Sequence, residues 1–133
     1  MNNRVVVRFA DGRIVKGVTA DFTPEKDHFH VTVHGAPRES KPVDVRTKDL
    51  KAIYFVKDFA GNPQKKDCKE FDALQPPVGR KIRVVFKDGE VTVGTTHGYQ
   101  RGRPGFFLVP ADPKSNNERC YIVTSATREI IFI

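Results

Sequence analysis

The stretch Val5-Val6-Val7-Arg8-Phe9-Ala10-Asp11-Gly12-Arg13-Ile14-Val15-Lys16-Gly17 returns 77 positions later as Ile82-Arg83-Val84-Val85-Phe86-Lys87-Asp88-Gly89-Glu90-Val91-Thr92-Val93-Gly94. Carried onward without a gap, the same shift also pairs Thr19 with Thr96, Phe29 with Phe106, Thr47 with Thr124, Ile53 with Ile130 and Phe55 with Phe132. Together with Val7/Val84, Phe9/Phe86, Asp11/Asp88, Gly12/Gly89 and Gly17/Gly94, these are ten identities at one offset. Such self-similarity marks an internal duplication.

Each copy reads as a run of short strands. Val5, Val7 and Phe9, or Ile82, Val84 and Phe86, alternate with Arg4 and Arg8, or Lys81 and Arg83, so one face turns inward. Asp11-Gly12 and Asp88-Gly89 offer the positive dihedrals of a tight two-residue hairpin. Gly17 and Gly94, isolated inside the next strand, predict a bulge or sharp bend that curls the sheet. A third strand carries Phe29, Val31 and Val33, matched by Phe106 and Leu108; a fourth lies near 43–46 or 120–123, and the last near 52–56 or 129–133. Five short strands without helical periodicity describe a small open barrel. The expected fold is therefore all-β, with one small barrel over 1–58, a connector over 59–79 and a second small barrel over 80–133. Within the connector, 65–74 reads as one or two helical turns ended by Pro76 and Pro77.

A barrel of roughly 55 residues is marginal alone, which predicts contact between the halves. The last strands point the same way, since Ile53 and Phe55 face opposite Tyr54 and Val56, and Ile130 and Phe132 face opposite Ile131 and Ile133. A strand apolar on both faces has a neighbour on both. By symmetry that neighbour is the other barrel, with Phe9, Phe86, Phe55 and Phe132 all buried.

The net charge of +7 favours an anionic partner, nucleic acid or an acidic protein surface. It is spread evenly: residues 1–56 hold ten Lys/Arg against seven Asp/Glu, 80–133 hold nine against five, and the connector balances four with four. This is a mildly basic body, not a basic arm. The opening MNNRVVVRF has no leader-type apolar core, and no apolar run approaches the roughly 20 residues of a membrane span. The reading is a cytoplasmic protein in which Cys68 and Cys120, lacking metal-type spacing, stay reduced.

The run V-x-F-x-D-G-x4-G, followed by an apolar pair and a terminal apolar strand, resembles the first motif of Sm-like proteins, a branch of the SH3-like small barrels. The resemblance implies tandem Sm-like barrels and covers about 50 residues of each copy. Sm-like proteins hold RNA bases with an Asn after a Met in the third strand and an Arg-Gly pair near the end. Here those places are taken by Phe29-His30 and Phe106-Phe107, and by Lys51-Ala52 and Arg128-Glu129. The base-binding residues do not carry over. The segment GRPGFFLVPADPKSNNERCYIV is similar to stretches of uncharacterised bacterial proteins. Arg4-Val5-Val6-Val7-Arg8 matches the RxxxR element of cyclic di-GMP-binding PilZ domains, but Asp11-Gly12-Arg13 lacks the serine and spacing of their second element.

In the second copy, Tyr99, Arg101, Arg103 and Phe107 gather rings and cations around the loop before the third strand, with Arg119 nearby. Such a set suits a ligand, and single-stranded nucleic acid uses it for stacking and phosphate contact. Asp112 and Glu118 flank it, and Pro104-Gly105 equally well sets an ordinary turn. Asn116 and Asn117, in PADPKSNN, suit turn chemistry. His28, His30 and His34 share one side of the third strand, and two imidazoles so spaced can share a metal; no cysteine or acidic ligand accompanies them and the second copy has no histidines there. Ser40, Ser115 and Ser125 have no adjacent His, and no GxSxG, HExxH, CxxC pair or phosphate-binding loop occurs. The expectation is a non-enzymatic binding or adaptor module without a cofactor or metal, docking a protein partner. The rival is an RNA-binding protein.

Overall fold

The structure, a computed structural model, describes residues 3–37, 40–57, 79–97, 99, 102–111 and 116–133. The first half contributes strands β1 (Asn3–Phe9), β2 (Ile14–Thr19), β3 (His28–Val33), β4 (Val43–Arg46) and β5 (Leu50–Val56). The second contributes β6 (Arg80–Phe86), β7 (Val91–Thr96), β8 (Gly105–Pro110), β9 (Asn117–Val123) and β10 (Thr127–Phe132). All ten lie in one open antiparallel sheet, in the order β10-β6-β7-β8-β9-β5-β1-β2-β3-β4. Single 3-10 turns at Thr47–Asp49 and Thr124–Ala126 lead into β5 and β10. No α-helix, and no helix long and apolar enough to cross a membrane, occurs among the described residues. The helical turn expected at 65–74 and Cys68 lie outside them.

The pairing registers carry the repeat into three dimensions. Val5 opposite Gly17 and Phe55 in the first half becomes Ile82 opposite Gly94 and Phe132 in the second. Likewise Phe29 opposite Val45 becomes Phe106 opposite Ile122. Even the irregularity between Arg8 and Phe9 on the β1–β5 pair recurs where Thr127 and Glu129 meet β6.

Two local expectations are corrected. The Asp-Gly pairs do not make two-residue hairpins. Within each pair the glycine alone turns positive, Gly12 (φ 98°) and Gly89 (φ 93°), while Asp11 and Asp88 do not, and the Gly12 amide donates to the Phe9 carbonyl at 3.0 Å across a wider loop. Asp11 and Asp88 hold that loop from the side by accepting the amides of Arg13 and Glu90. The second correction concerns only the bulge expected at Gly17 and Gly94, both of which sit in unbroken ladders. Each is bare because the next strand crosses directly over it. A Cβ would strike the Thr32 carbonyl oxygen at Gly17 and the Val109 carbonyl oxygen at Gly94. Gly17→Ala and Gly94→Ala are each expected to cost about 1–3 kcal/mol or more, as overpacking does, read as matched falls in urea midpoint.

Two hydrophobic cores lie on opposite faces of the central strands. The first holds Val5, Val7, Phe29, Val31, Leu50, Ile53 and Phe55, and also Tyr121 and Val123 from β9. The second holds Ile82, Val84, Phe86, Phe106 and Leu108, and also Ala52, Tyr54 and Val56 from β5. Alternation explains the exchange: β5 from Ala52 onward and β9 from Cys120 onward send odd and even residues to different cores, while Leu50, across the register shift opposite Phe9, stays in the first. All seven residues of β5 are buried. The two-sided apolar pattern of β5 thus meets the other half, as its sequence suggests. On β10 it does not. Ile131 and Phe132 are only half-buried and Ile133 is 67% exposed, because β10 is an edge strand. Phe9, Phe86 and Phe55 are buried; Phe132, the fourth expected ring, is not fully so.

A buried cation ties the halves together as well. Lys51 on β5, 7% exposed, reaches the β6–β7 hairpin, where its Nζ lies 2.7 Å from Asp88 Oδ2 and 3.0 Å from Glu90 Oε1. It also lies over the Phe86 ring, 4.6 Å from its centroid. The hydrogen bond from Lys51, with the Glu90 amide, holds the Asp88 carboxyl below its ordinary range.

Candidate functional site

Period-two alternation on β8 decides which expected site residues can meet. Phe106 and Phe107 are neighbours in sequence, so their rings leave opposite faces of the strand. Phe106 enters the second core and Phe107 lies half-buried against the first. Tyr99 follows Phe106, at 5.0 Å between ring centroids, and packs on Phe132 at 5.4 Å. It therefore serves the second core and does not join Phe107. Arg101 lies outside the described residues.

Phe107 and Arg119 do come together. Arg119, exposed on β9, lays its guanidinium over two rings, 4.5 Å from the centroid of Phe55 and 4.8 Å from that of Phe107. Phe107 packs on Tyr121 at 5.2 Å, and Phe22, from the loop between β2 and β3, packs on Phe29, Phe55, Tyr121 and Phe107 at 5.1–6.3 Å. This aromatic surface sits where the halves join, with the Arg119 cation clamped over it. Cation–π pairs at exposed sites are worth about 0.5–1 kcal/mol each.

Arg103 and Glu25 both act on Tyr121 through their charge. Burial, reinforced by the Glu25 carboxylate and opposed by Arg103, raises the Tyr121 phenol above its ordinary range. Arg103 is exposed. Phe22, Phe55 and Tyr121 are the members that the sequence reading omits. A signal for Phe22 is present: shifted by 77 positions it falls on Tyr99, and the two rings do equivalent work, Phe22 on Phe29 and Phe55, Tyr99 on Phe106 and Phe132.

The histidines of β3 are held by carboxylates rather than gathered around a metal. His28 Nδ1 lies 2.8 Å from Asp27, and His30 Nδ1 lies 2.7 Å from Asp21, which also accepts the His30 amide at 3.0 Å. Their rings stand edge to face at 6.2 Å. Among the described residues, no three His, Cys, Asp or Glu side chains are placed to hold a metal ion. Burial works to raise the Asp21 pKa, but the His30 side-chain and amide hydrogen bonds and the Thr19 hydroxyl outweigh it, and the value falls to about 2. A depressed carboxyl stabilises the fold above its unfolded pKa near 3.8 and loses that effect as the pH falls through about 2. Asp21 is partly solvated, which limits the gain to about 1 kcal/mol or less. Asp21→Asn is expected to be less stable than the parent at pH 7, the gap closing between pH 4 and pH 2 in urea titrations. An undiminished gap at pH 2 would assign the loss to packing.

A cleft of about 170 Å³ is lined by Ala10, Lys51, Phe86, Lys87, Asp88, Ser125 and Ala126. Its one buried amine, on Lys51, is already engaged by two carboxylates. That leaves the Phe22–Phe107–Arg119 surface as the arrangement best suited to recognition. No curated protein and no solved structure matches this chain. Its length, residues 1–133, matches the family of unknown function DUF6982, and the chain belongs to that family.

Proposed function

We propose that this chain is a cytoplasmic, non-catalytic binding module, in which two pseudo-symmetric SH3-like small barrels, over 1–58 and 80–133, are fused through β5 and β9 and dock a protein partner. The observation that carries the reading is Arg119 held over Phe55 and Phe107 at the joint. Exposed arginine with half-buried aromatic rings is the residue chemistry of protein interface anchors, because it offers large, stiff contact area and several donors. The net charge of +7 suits a partner with an acidic rim.

RNA binding is the second reading, favoured by Arg119 lying over Phe107 and by the Arg103 charge acting on Tyr121. Stacking of a base needs an open ring face. The Phe107 ring is shared among Arg119, Phe22, Phe55 and Tyr121, which argues for the protein partner.

A photo-crosslinking amino acid at position 107 tests this in cells, with the exposed position 14 at the start of β2 as control. A defined protein adduct from 107, absent from 14 and lost with Arg119→Ala, is the expected result. Nucleic acid adducts from 107, with steeply salt-dependent gel shifts on generic RNA, would favour the second reading. Adducts equal at both positions would sink the assignment of this surface.

A further inference from the structure

The halves are joined through strands of different kind, the fifth of one and the fourth of the other. In that joint Ala52 faces Ile122, Ile53 faces Tyr121, Tyr54 faces Cys120 and Phe55 faces Arg119. Because every register of the first half recurs 77 positions later, β10 is the counterpart of β5 and β4 the counterpart of β9. Among the described residues these two strands are the ends of the sheet. The molecule thus ends in the two complementary halves of a joint that it has already made once.

The apolar counterparts at those ends match this description, while Ala52 and Tyr121 of the joint are replaced there by Glu129 and Asp44. Tyr54, Val56 and Cys120 are buried in the joint, at 8%, 5% and 1% exposure. Their counterparts Ile131, Ile133 and Val43 remain apolar yet are uncovered: Ile131 is half-buried, Ile133 is 67% exposed and Val43 is 37% exposed. Phe132 likewise keeps the ring of Phe55 but is only half-buried, with the Arg80 guanidinium stacked on it at 3.8 Å and Tyr99 packed beside it. A solvated edge strand is usually protected by charge or proline. β10 carries charge at Arg128 and Glu129 but neither charge nor proline on its last three residues, Ile130, Ile131 and Phe132.

We infer that a second copy of this chain covers that edge, β10 of one copy pairing antiparallel with β4 of the next in the register of the internal joint. Glu129 then faces Val45, Ile130 faces Asp44, Ile131 faces Val43 and Phe132 faces Pro42. Proline at 42, where the internal joint has Arg119, has no amide to give, so this ladder is shorter by one donor than the internal one. The association is correspondingly weaker and reversible. It is head to tail, each copy offering both ends, and it closes into a ring or extends as a filament according to the rotation per copy. This surface is separate from the Phe107–Arg119 surface, and either assignment can fail without the other.

Sedimentation of the full chain over a wide concentration series tests it, together with Val43→Asp and Ile131→Asp. The parent is expected to pass beyond a dimer as concentration rises, and each variant to stay monomeric. An equimolar mixture of the two variants is expected to give a dimer and nothing larger, since each retains the one edge that the other has lost. If Ile131→Asp fails to fold, the more exposed Ile133→Asp takes its place. A parent monomeric at every concentration would overturn the inference. So would Val43→Asp assembling like the parent, which would mean β10 paired with itself, or a mixture that stays monomeric.

Discussion

Residues 1–60 prepared alone are expected to be unfolded, with amide proton shifts collapsed into the random-coil range. The first core is finished by side chains from the other half: Tyr121 and Val123 lie within it and Phe107 packs on it. Without them Phe22 loses the rings of Phe107 and Tyr121, Phe55 loses that of Phe107, and Ala52, Tyr54 and Val56, which belong to the second core, face water. A chain of about 60 residues buries only about 60% of its unfolded surface and is marginal even with a complete core. Lys51 would also lose the Asp88 and Glu90 carboxylates that hold it. Adding residues 79–133 to the fragment should restore dispersion if the missing strands are all that it lacks. A dispersed spectrum from the fragment alone would mean that the shared strands are dispensable.

Tyr121→Ala is expected to cost about 3–5 kcal/mol, in line with truncation of a large aromatic ring in a core and a sizeable part of a total stability of about 5–15 kcal/mol. Tyr121 is 2% exposed and touches Phe22 and Phe107, with only its phenol edge near charge. Although it belongs to β9, the cavity opens in the first core. Hydrogen exchange of Val5, Val7 and Val31 amides should therefore quicken together with those of β9. Quickening confined to the second half would show that the two cores unfold separately.

The strands and their pairing are legible in the sequence because two signals agree, a period of two and a repeat of 77. Each apolar position is checked by its counterpart, as Val7 is by Val84 and Phe29 by Phe106. The two-sided final strands correctly point to a shared wall. They do not reveal that the sharing is unequal, with β5 covered and β10 left at an edge, since both carry the same apolar pattern. Which fourth strand meets which fifth strand depends on how the chain closes through the connector, and that is not a local property. At the site, Phe107 and Arg119 are legible as a pair, one on each of two adjacent strands. Tyr99 misleads because closeness in sequence across a strand means separation by its full thickness. Gly17 and Gly94 are legible as special positions, but the reason, a carbonyl of the third strand lying over each, comes from a neighbour that sequence spacing does not place.

Cys120 adds a chemical consequence to this architecture. Its thiol is 1% exposed in the second core, lies 3.6 Å from the Leu108 carbonyl, and is pushed by burial, with the Glu90 carboxylate adding to it, up to about 12. Thiol reagents and oxidants attack the thiolate, which such a group scarcely forms near neutrality. Sulfur chemistry at this position therefore waits for β8 and β9 to part. The rate at which Cys120 is alkylated becomes a clock for that parting, and peroxide leaves this sulfur unmarked for as long as the strands stay together.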